Sequence, residues 1–367
     1  MQYGRTLGIA LLALFSLGAQ AQILIGQTAG FSGPVAAGVK ETTEGAKLYI
    51  DAVNAKGGVN GQRIELISLD DKFDPKLAAE NAQKLIVEQN VAALFLNRGT
   101  PHTEAIIPLL DRHGVPLVAP STGAMVLHQP VKKHVFNVRA TYQREAEKAI
   151  THLSTIGMNR IAVVHVDDSF GLDGLAGAQK GLASAKLTPV VLEKFDRSKP
   201  DFSKIAPAVA QAGAQAVLMI ASGSAVVDGI KALRAAGSGA QVVTLSNNAS
   251  GGFIKSLGEH ARGVIVTQVF PQSVSYSLVK EAQDLARAKG LSEATPAMLE
   301  GFAAAKVLVE GLRRAGARPT RERIQAALET LSKFDIGGLE VNFSPQDHTG
   351  LDFADLSIIT ADGRFRR

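Results

Sequence analysis

Two kinds of hydrophobic spacing alternate along most of the chain. Short, unbroken apolar runs predict buried strands: one from Leu24, then 64–69, 91–96, 115–119, 160–165, 189–193, 217–221, 241–245 and 263–267. Between them, apolar residues recur at three- and four-residue intervals. Ala46, Tyr49, Ile50 and Val53 mark the first such helix, and others are predicted at 76–88, 102–112, 142–156, 172–185, 201–212 and 225–236. Two strong helix patterns follow at 275–289 and 296–316, and a Pro319-led helix at 320–331. The tail changes character, with short strands at 339–343 and 356–359 and a hairpin turn at Ala361-Asp362-Gly363. Strand alternating with helix predicts parallel α/β sheets. The length is too great for one comfortable core, and no low-complexity linker divides the chain. Two αβ domains joined by several short crossings fit this pattern.

The first 21 residues stand outside that scheme. Arg5, the apolar stretch Leu7–Leu17 and the small residues Ala19-Gln20-Ala21 read as a secretory signal peptide cleaved after Ala21. Export places the chain in an oxidising compartment, and a protein of this size with no cysteine needs no disulfide there. No lipobox cysteine precedes the expected mature start, so a lipid anchor is not expected.

Charge adds little. The net charge of +5 is scattered, tryptophan is absent and aromatics make up 5%, so neither a basic stripe nor stacking platforms point to nucleic acid.

Searches for catalytic patterns fail. There is no G-x-S-x-G, G-x-G-x-x-G, Walker loop or H-E-x-x-H, and no cysteine for thiolate chemistry or a thiolate metal site. The eight histidines show no metal-ligand spacing. His165 beside Asp167 or Asp168 makes a poor general base, and Ser169 lies too close to it along the chain to serve as its nucleophile. Asp70, Asp71 and Asp74 lack the glycine and terminal glutamate of a calcium loop and read as helix-start charges. No metal and no cofactor are expected. What remains at the strand ends is a set of small polar turns entering helices: Ser32-Gly33, Thr100 to Thr103, Ser121-Thr122-Gly123, Ser222-Gly223-Ser224 and Ser246 to Asn248. Each alone is an ordinary cap, worth about 1 kcal/mol. Together, at the carboxyl edges of two sheets, they suggest a site for an anion or carboxylate.

These segments resemble the type I periplasmic solute-binding proteins of branched-chain amino-acid ABC importers, the leucine/isoleucine/valine-binding group. Phe31-Ser-Gly-Pro-Val-Ala36 resembles the family's first loop, and Asn54 to Gly61 its turn after the first helix. Asp70-Asp71 with Asp74-Pro75, Val118-Ala-Pro-Ser-Thr122 and Phe170-Gly171 follow in the family's order, so the resemblance covers residues 22–362. It implies two Rossmann-like lobes, a hinged interlobe cleft and three crossovers, with residues 22–141 and 271–340 in one lobe and 142–270 and 341–367 in the other. It also implies a periplasmic, monomeric binding protein that hands a small carboxylate ligand to an ABC permease and catalyses nothing. Carried over by position, Thr100, Ser121 and Gly123 would face the ligand's carboxylate, with Thr122 beside them. Phe170 would pack on the ligand from the second lobe, and Ser32 and Phe270 complete the candidate set.

Three positions depart from the amino-acid binders. Ser222 stands where they often carry an aromatic, Gly38 where leucine-type binders have an aromatic wall, and Asn247 where they place an acid for the ligand's ammonium. A buried ammonium without an ionised partner costs several kcal/mol. The departures therefore imply a roomier pocket and a less cationic ligand, an organic acid or amide with aromatic acids among the candidates. Arg98 would clamp a carboxylate if it points inward and be a solvated rim charge if outward. A ligand-sensing lobe pair and an exported hydrolase remain as alternatives.

Overall fold

The computed structural model describes residues 22–367, so the expected signal peptide lies outside the described residues. The first lobe opens with β1 (Gln22–Ala29), α1 (Ala36–Ala55), β2 (Arg63–Asp70), α2 (Pro75–Gln83), β3 (Ala93–Phe95), α3 (Thr100–His113), β4 (Leu117–Val118) and β5 (Val135–Phe136). Its sheet is parallel, in the order β2-β1-β3-β4-β5. The second lobe runs through α4 (Tyr142–Thr155), β6 (Ile161–Val166), α5 (Ser169–Ser184), β7 (Val191–Phe195), α6 (Ile205–Gln211), β8 (Ala216–Ile220), α7 (Ser224–Ala235), β9 (Gln241–Thr244), α8 (Gly251–Leu257) and β10 (Ile265–Gln268). The chain then returns to the first lobe for α9 (Ser277–Ala288), α10 (Pro296–Arg314), α11 (Arg321–Glu329) and a small hairpin, β11 (Phe334–Asp335) with β12 (Glu340–Val341). It ends in β13 (Asp355–Ile359) and β14 (Phe365–Arg366), antiparallel strands on the edge of the second sheet, whose order is β14-β13-β10-β9-β8-β6-β7.

The strands form where apolar runs are continuous. Every residue of β6 and of β8 is buried, as parallel strands covered on both faces require. Most helices that follow start on a side-chain cap: Asp74, Thr141, Asp168, Ser250, Thr295 and Thr320 each accept a first-turn N–H.

The buried hydrophobic clusters segregate by lobe, three in the first and one in the second, in line with the two-lobe expectation, and the chain crosses between the lobes three times. Three details differ from the sequence expectation. Val341, Phe343 and Leu351 pack in the first lobe's core, so the third crossing lies after Leu351 rather than at residue 340. Only Glu340–Val341 of the expected 339–343 strand pairs, because its partner is the two-residue strand across Gly337-Gly338. The helix α8 is absent from the sequence reading, since its Gly251-Gly252 start hides the apolar period that Phe253 and Leu257 begin.

The first lobe depends on a close helix pair. α1 crosses α10 at glycine: a methyl group on Gly45 would lie 1.9 Å from the Met298 carbonyl oxygen, and one on Gly301 would lie 1.8 Å from that of Thr42. Backbone cannot yield as a flexible side chain does. Gly301→Ala is expected to destabilise the protein by about 3 kcal/mol or more, the upper range of overpacking. Chemical denaturation would show it as a lower midpoint at unchanged slope.

Candidate functional site

The carboxyl ends of both sheets meet across a cleft, and the lobes are shut on one another. Ser224 N–H donates to the Pro34 carbonyl (3.2 Å), and Ser169 Oγ donates to Glu104 (2.5 Å). On the hinge side the Glu41 carboxylate of α1 accepts from Gly251 N–H (2.9 Å), Gly252 N–H (2.7 Å) and Thr295 Oγ1 (2.8 Å). An acid at the start of α8 is where a helix end favours negative charge. At the opposite rim the Arg197 guanidinium of the second lobe lies 5.0 Å over the Phe73 ring of the first.

Between these contacts lies a cavity of about 570 Å³, within the range of small-ligand sites. Its walls are the start of α1 with Gly38, the starts of α7 and α8, and Asn247; Arg98 is on its floor. No side chain caps α1 or α7; at their starts Ala36 N–H is taken by the Gly33 carbonyl and Ser224 N–H by that of Pro34. The charged residues on the wall are Arg98 and Lys231, and no carboxylate lines it among the described residues.

Arg98 points inward and is buried. One Nη donates to Ser121 Oγ (2.9 Å) and the other to the Asn247 carbonyl across the cleft (2.5 Å). Ser121 Oγ donates in turn to Glu300 (2.8 Å). The neighbouring acids are already paired: Arg139, 1% exposed, donates to Glu145 and sits 3.7 Å from Glu300. Burial works against the Arg139 charge, but Glu145, Tyr142 and Glu300 more than restore it and raise its pKa. Arg98 thus keeps only a hydroxyl and a carbonyl as partners. Its remaining donors and its charge are available to an anion.

The other expected site residues fall into three groups. Asn247 lines the cavity, and its Nδ2 donates to Ser222 Oγ (2.8 Å) and to the Ala221 carbonyl (3.0 Å). Thr100 and Thr122 share a buried hydroxyl–hydroxyl bond (2.7 Å), and the Gly123 carbonyl accepts Tyr142 N–H (2.8 Å). Phe170 packs edge-on against Tyr142, ring centres 4.7 Å apart, 3% exposed. None of these four lines the cavity in this closed arrangement. Ser32 and Phe270 lie apart from the rest. Ser32 is exposed, with its N–H (3.1 Å) and hydroxyl (2.6 Å) on Asp70. Phe270 is buried in the first lobe's core and lines a different cavity, behind the crossings.

Sequence reasoning missed Arg139, Glu145, Glu300 and Lys231. On a helix pattern Glu145, Lys231 and Glu300 look like solvated charges, and only the folded crossings bring Arg139 to the two acids. At Gly38 an added methyl would meet nothing nearer than 3.9 Å, so glycine there leaves open space that a larger side chain would fill.

The rim is sensitive to acid. His102 stacks on Phe73 (4.3 Å), and burial holds its imidazole down to about 4; His128, bonded to Thr349 Oγ1 (2.9 Å), is likewise held to about 4 by burial. An unfolded chain would take up protons between pH 6.5 and 4 that these folded sites refuse, so stability falls on acidification through that window. Asp71 opposes this. Burial lifts its carboxyl to about 6, against donation from Phe73 N–H and Thr28, so the folded state gains its proton first as pH falls. Two histidines against one aspartate predict a net loss on the order of a few kcal/mol by pH 4. Denaturation at pH 7 and pH 4.5 checks it, and His128→Gln should flatten the slope.

Comparison with known proteins sets this geometry in context. A family model described as periplasmic binding protein matches residues 22–360. The chain is 25% identical over 321 residues to Leu/Ile/Val-binding protein homolog 3 of Brucella melitensis, covering 86% of this chain and 85% of that one. Among solved structures, a substrate-binding periplasmic protein from Ralstonia solanacearum superposes with a TM-score of 0.85 at 30% identity, covering 94% of this chain and 99% of the other. An extracellular ligand-binding receptor from Verminephrobacter eiseniae gives 0.83 at 29%, covering 95% and 100%.

Proposed function

The chain belongs to the type I periplasmic binding protein family, as a homologue of the Leu/Ile/Val-binding proteins, and from that premise we propose that its ligand is a small organic acid without an ammonium group. The general role is that of the solute-binding component of an ABC importer, a binding protein and not an enzyme, in the periplasm. The ligand's chemistry is the proposal. A single observation supports it most: the cavity wall carries Arg98 and Lys231 and no carboxylate.

An α-amino acid closed into such a space would have its carboxylate matched and its ammonium unmatched, at a penalty of several kcal/mol. Asn247 Oδ1 can accept from an ammonium but carries no charge to neutralise it, while its Nδ2 donates to Ser222 and Ala221. An acid with an aromatic or extended apolar body avoids the penalty. It would use the room beside Gly38, with its carboxylate on Arg98 and the helix starts. Export with cleavage after Ala21 belongs to the same reading, and the mass of the periplasmic protein tests it.

Calorimetric titration of ligand-free protein with 4-hydroxybenzoate and with leucine decides the ligand class. Binding of the aromatic acid with weak or no response to leucine is the expected result. Micromolar leucine binding with silence from the acid would overturn the reading.

A further inference from the structure

The cavity wall carries two cations in different settings, Arg98 buried and Lys231 exposed. Lys231 lies on α7, on the stripe Ser224, Val227 and Lys231 that faces the cavity. It is exposed and, like most lysines among the described residues, enters no ion pair, so its charge is available at the cavity. Arg98 is the buried cation of the same lining, and Lys231 lies seven residues, about 10 Å, along α7 from its start at Ser224. Glycine at 38 leaves that wall without a side chain.

We propose that the ligand carries a second anionic group at its far end, and that Lys231 receives it; the favoured class is an elongated dicarboxylic acid. This rests on the ligand reading above and narrows it. The buried Arg98 fork would fix one carboxylate by geometry, whereas Lys231, a flexible point charge at the mouth, would select for the presence and reach of the other. The distant charge also disfavours ligands whose far end is apolar or cationic, as in leucine or lysine.

Titrations of adipate, pimelate and suberate beside hexanoate, heptanoate and octanoate, and of terephthalate beside benzoate, test the proposal on wild-type protein and on Lys231→Met. The expected result is a wild-type preference of up to roughly fivefold for at least one diacid over its monoacid, the upper end for an exposed ion pair. That preference should shrink in 0.5 M salt and vanish in the variant, with monoacid affinity unchanged. Monoacids binding as tightly as diacids, or a preference surviving in Lys231→Met, would overturn the assignment while leaving the organic-acid reading intact. Failure of every acid to bind would remove both.

Discussion

Replacing Arg98 by alanine is expected to weaken binding of 4-hydroxybenzoate by two to three orders of magnitude. The ligand would lose its only buried cationic partner on the cavity wall, and truncating one member of a buried, hydrogen-bonded charge pair costs about 3–4 kcal/mol. The same change removes the bond from Arg98 to the Asn247 carbonyl, a contact that spans the cleft. Stability of the ligand-free protein should move much less. Ser121 keeps its bond to Glu300, and both glutamates keep Arg139, so no buried acid is left unpaired. Arg98→Lys should fall between, retaining charge and losing the planar fork. Titration with parallel melting curves separates the binding effect from any structural one. Equal affinity in wild type and Arg98→Ala would remove Arg98 from the site.

The second large effect is expected at Gly223, and it concerns closure. With φ of 55°, this residue sits against the first lobe, where an added methyl would lie 1.8 Å from the Pro34 carbonyl oxygen. That clash exists only while the lobes are shut. Gly223→Ala should therefore lower ligand affinity about ten- to hundredfold, the range of a local overpacking of about 1–3 kcal/mol. Left-handed backbone is unfavourable for alanine whether the lobes are open or shut. Gly237→Ala controls for that strain, since Gly237 has φ of 77° with nothing within 4 Å of an added methyl. The control should lose some stability and no affinity. Equal affinity losses in both variants would mean that the Pro34 contact is not needed for binding.

Legibility differed sharply between fold and site, for physical reasons. The alternation of buried runs and helical periods is local information, and the strands β6 and β8 could be read from their own residues. The α8 helix could not, because its first turn is glycine and its stability comes from Ser250 and from Glu41 in the other lobe. Polar turns were visible as a class, yet spacing alone did not reveal which would line the cavity. Ser32 is held by the Asp70 carboxylate on the surface, and Thr100 and Thr122 satisfy one another. The orientation of Arg98 was open in the sequence because it depends on Ser121 and Asn247, 23 and 149 positions away. Arg139, Glu145 and Glu300 were invisible for the same reason: their pairing exists only after both lobes and a crossing have assembled.

Small-angle X-ray scattering of the protein with and without saturating 4-hydroxybenzoate tests most directly whether two lobes shut on an acid held by Arg98. The account predicts a smaller radius of gyration with the acid present, and no contraction in Arg98→Ala at the same concentration. A radius that stays constant in wild type at saturation, or contracts equally in the variant, would contradict it.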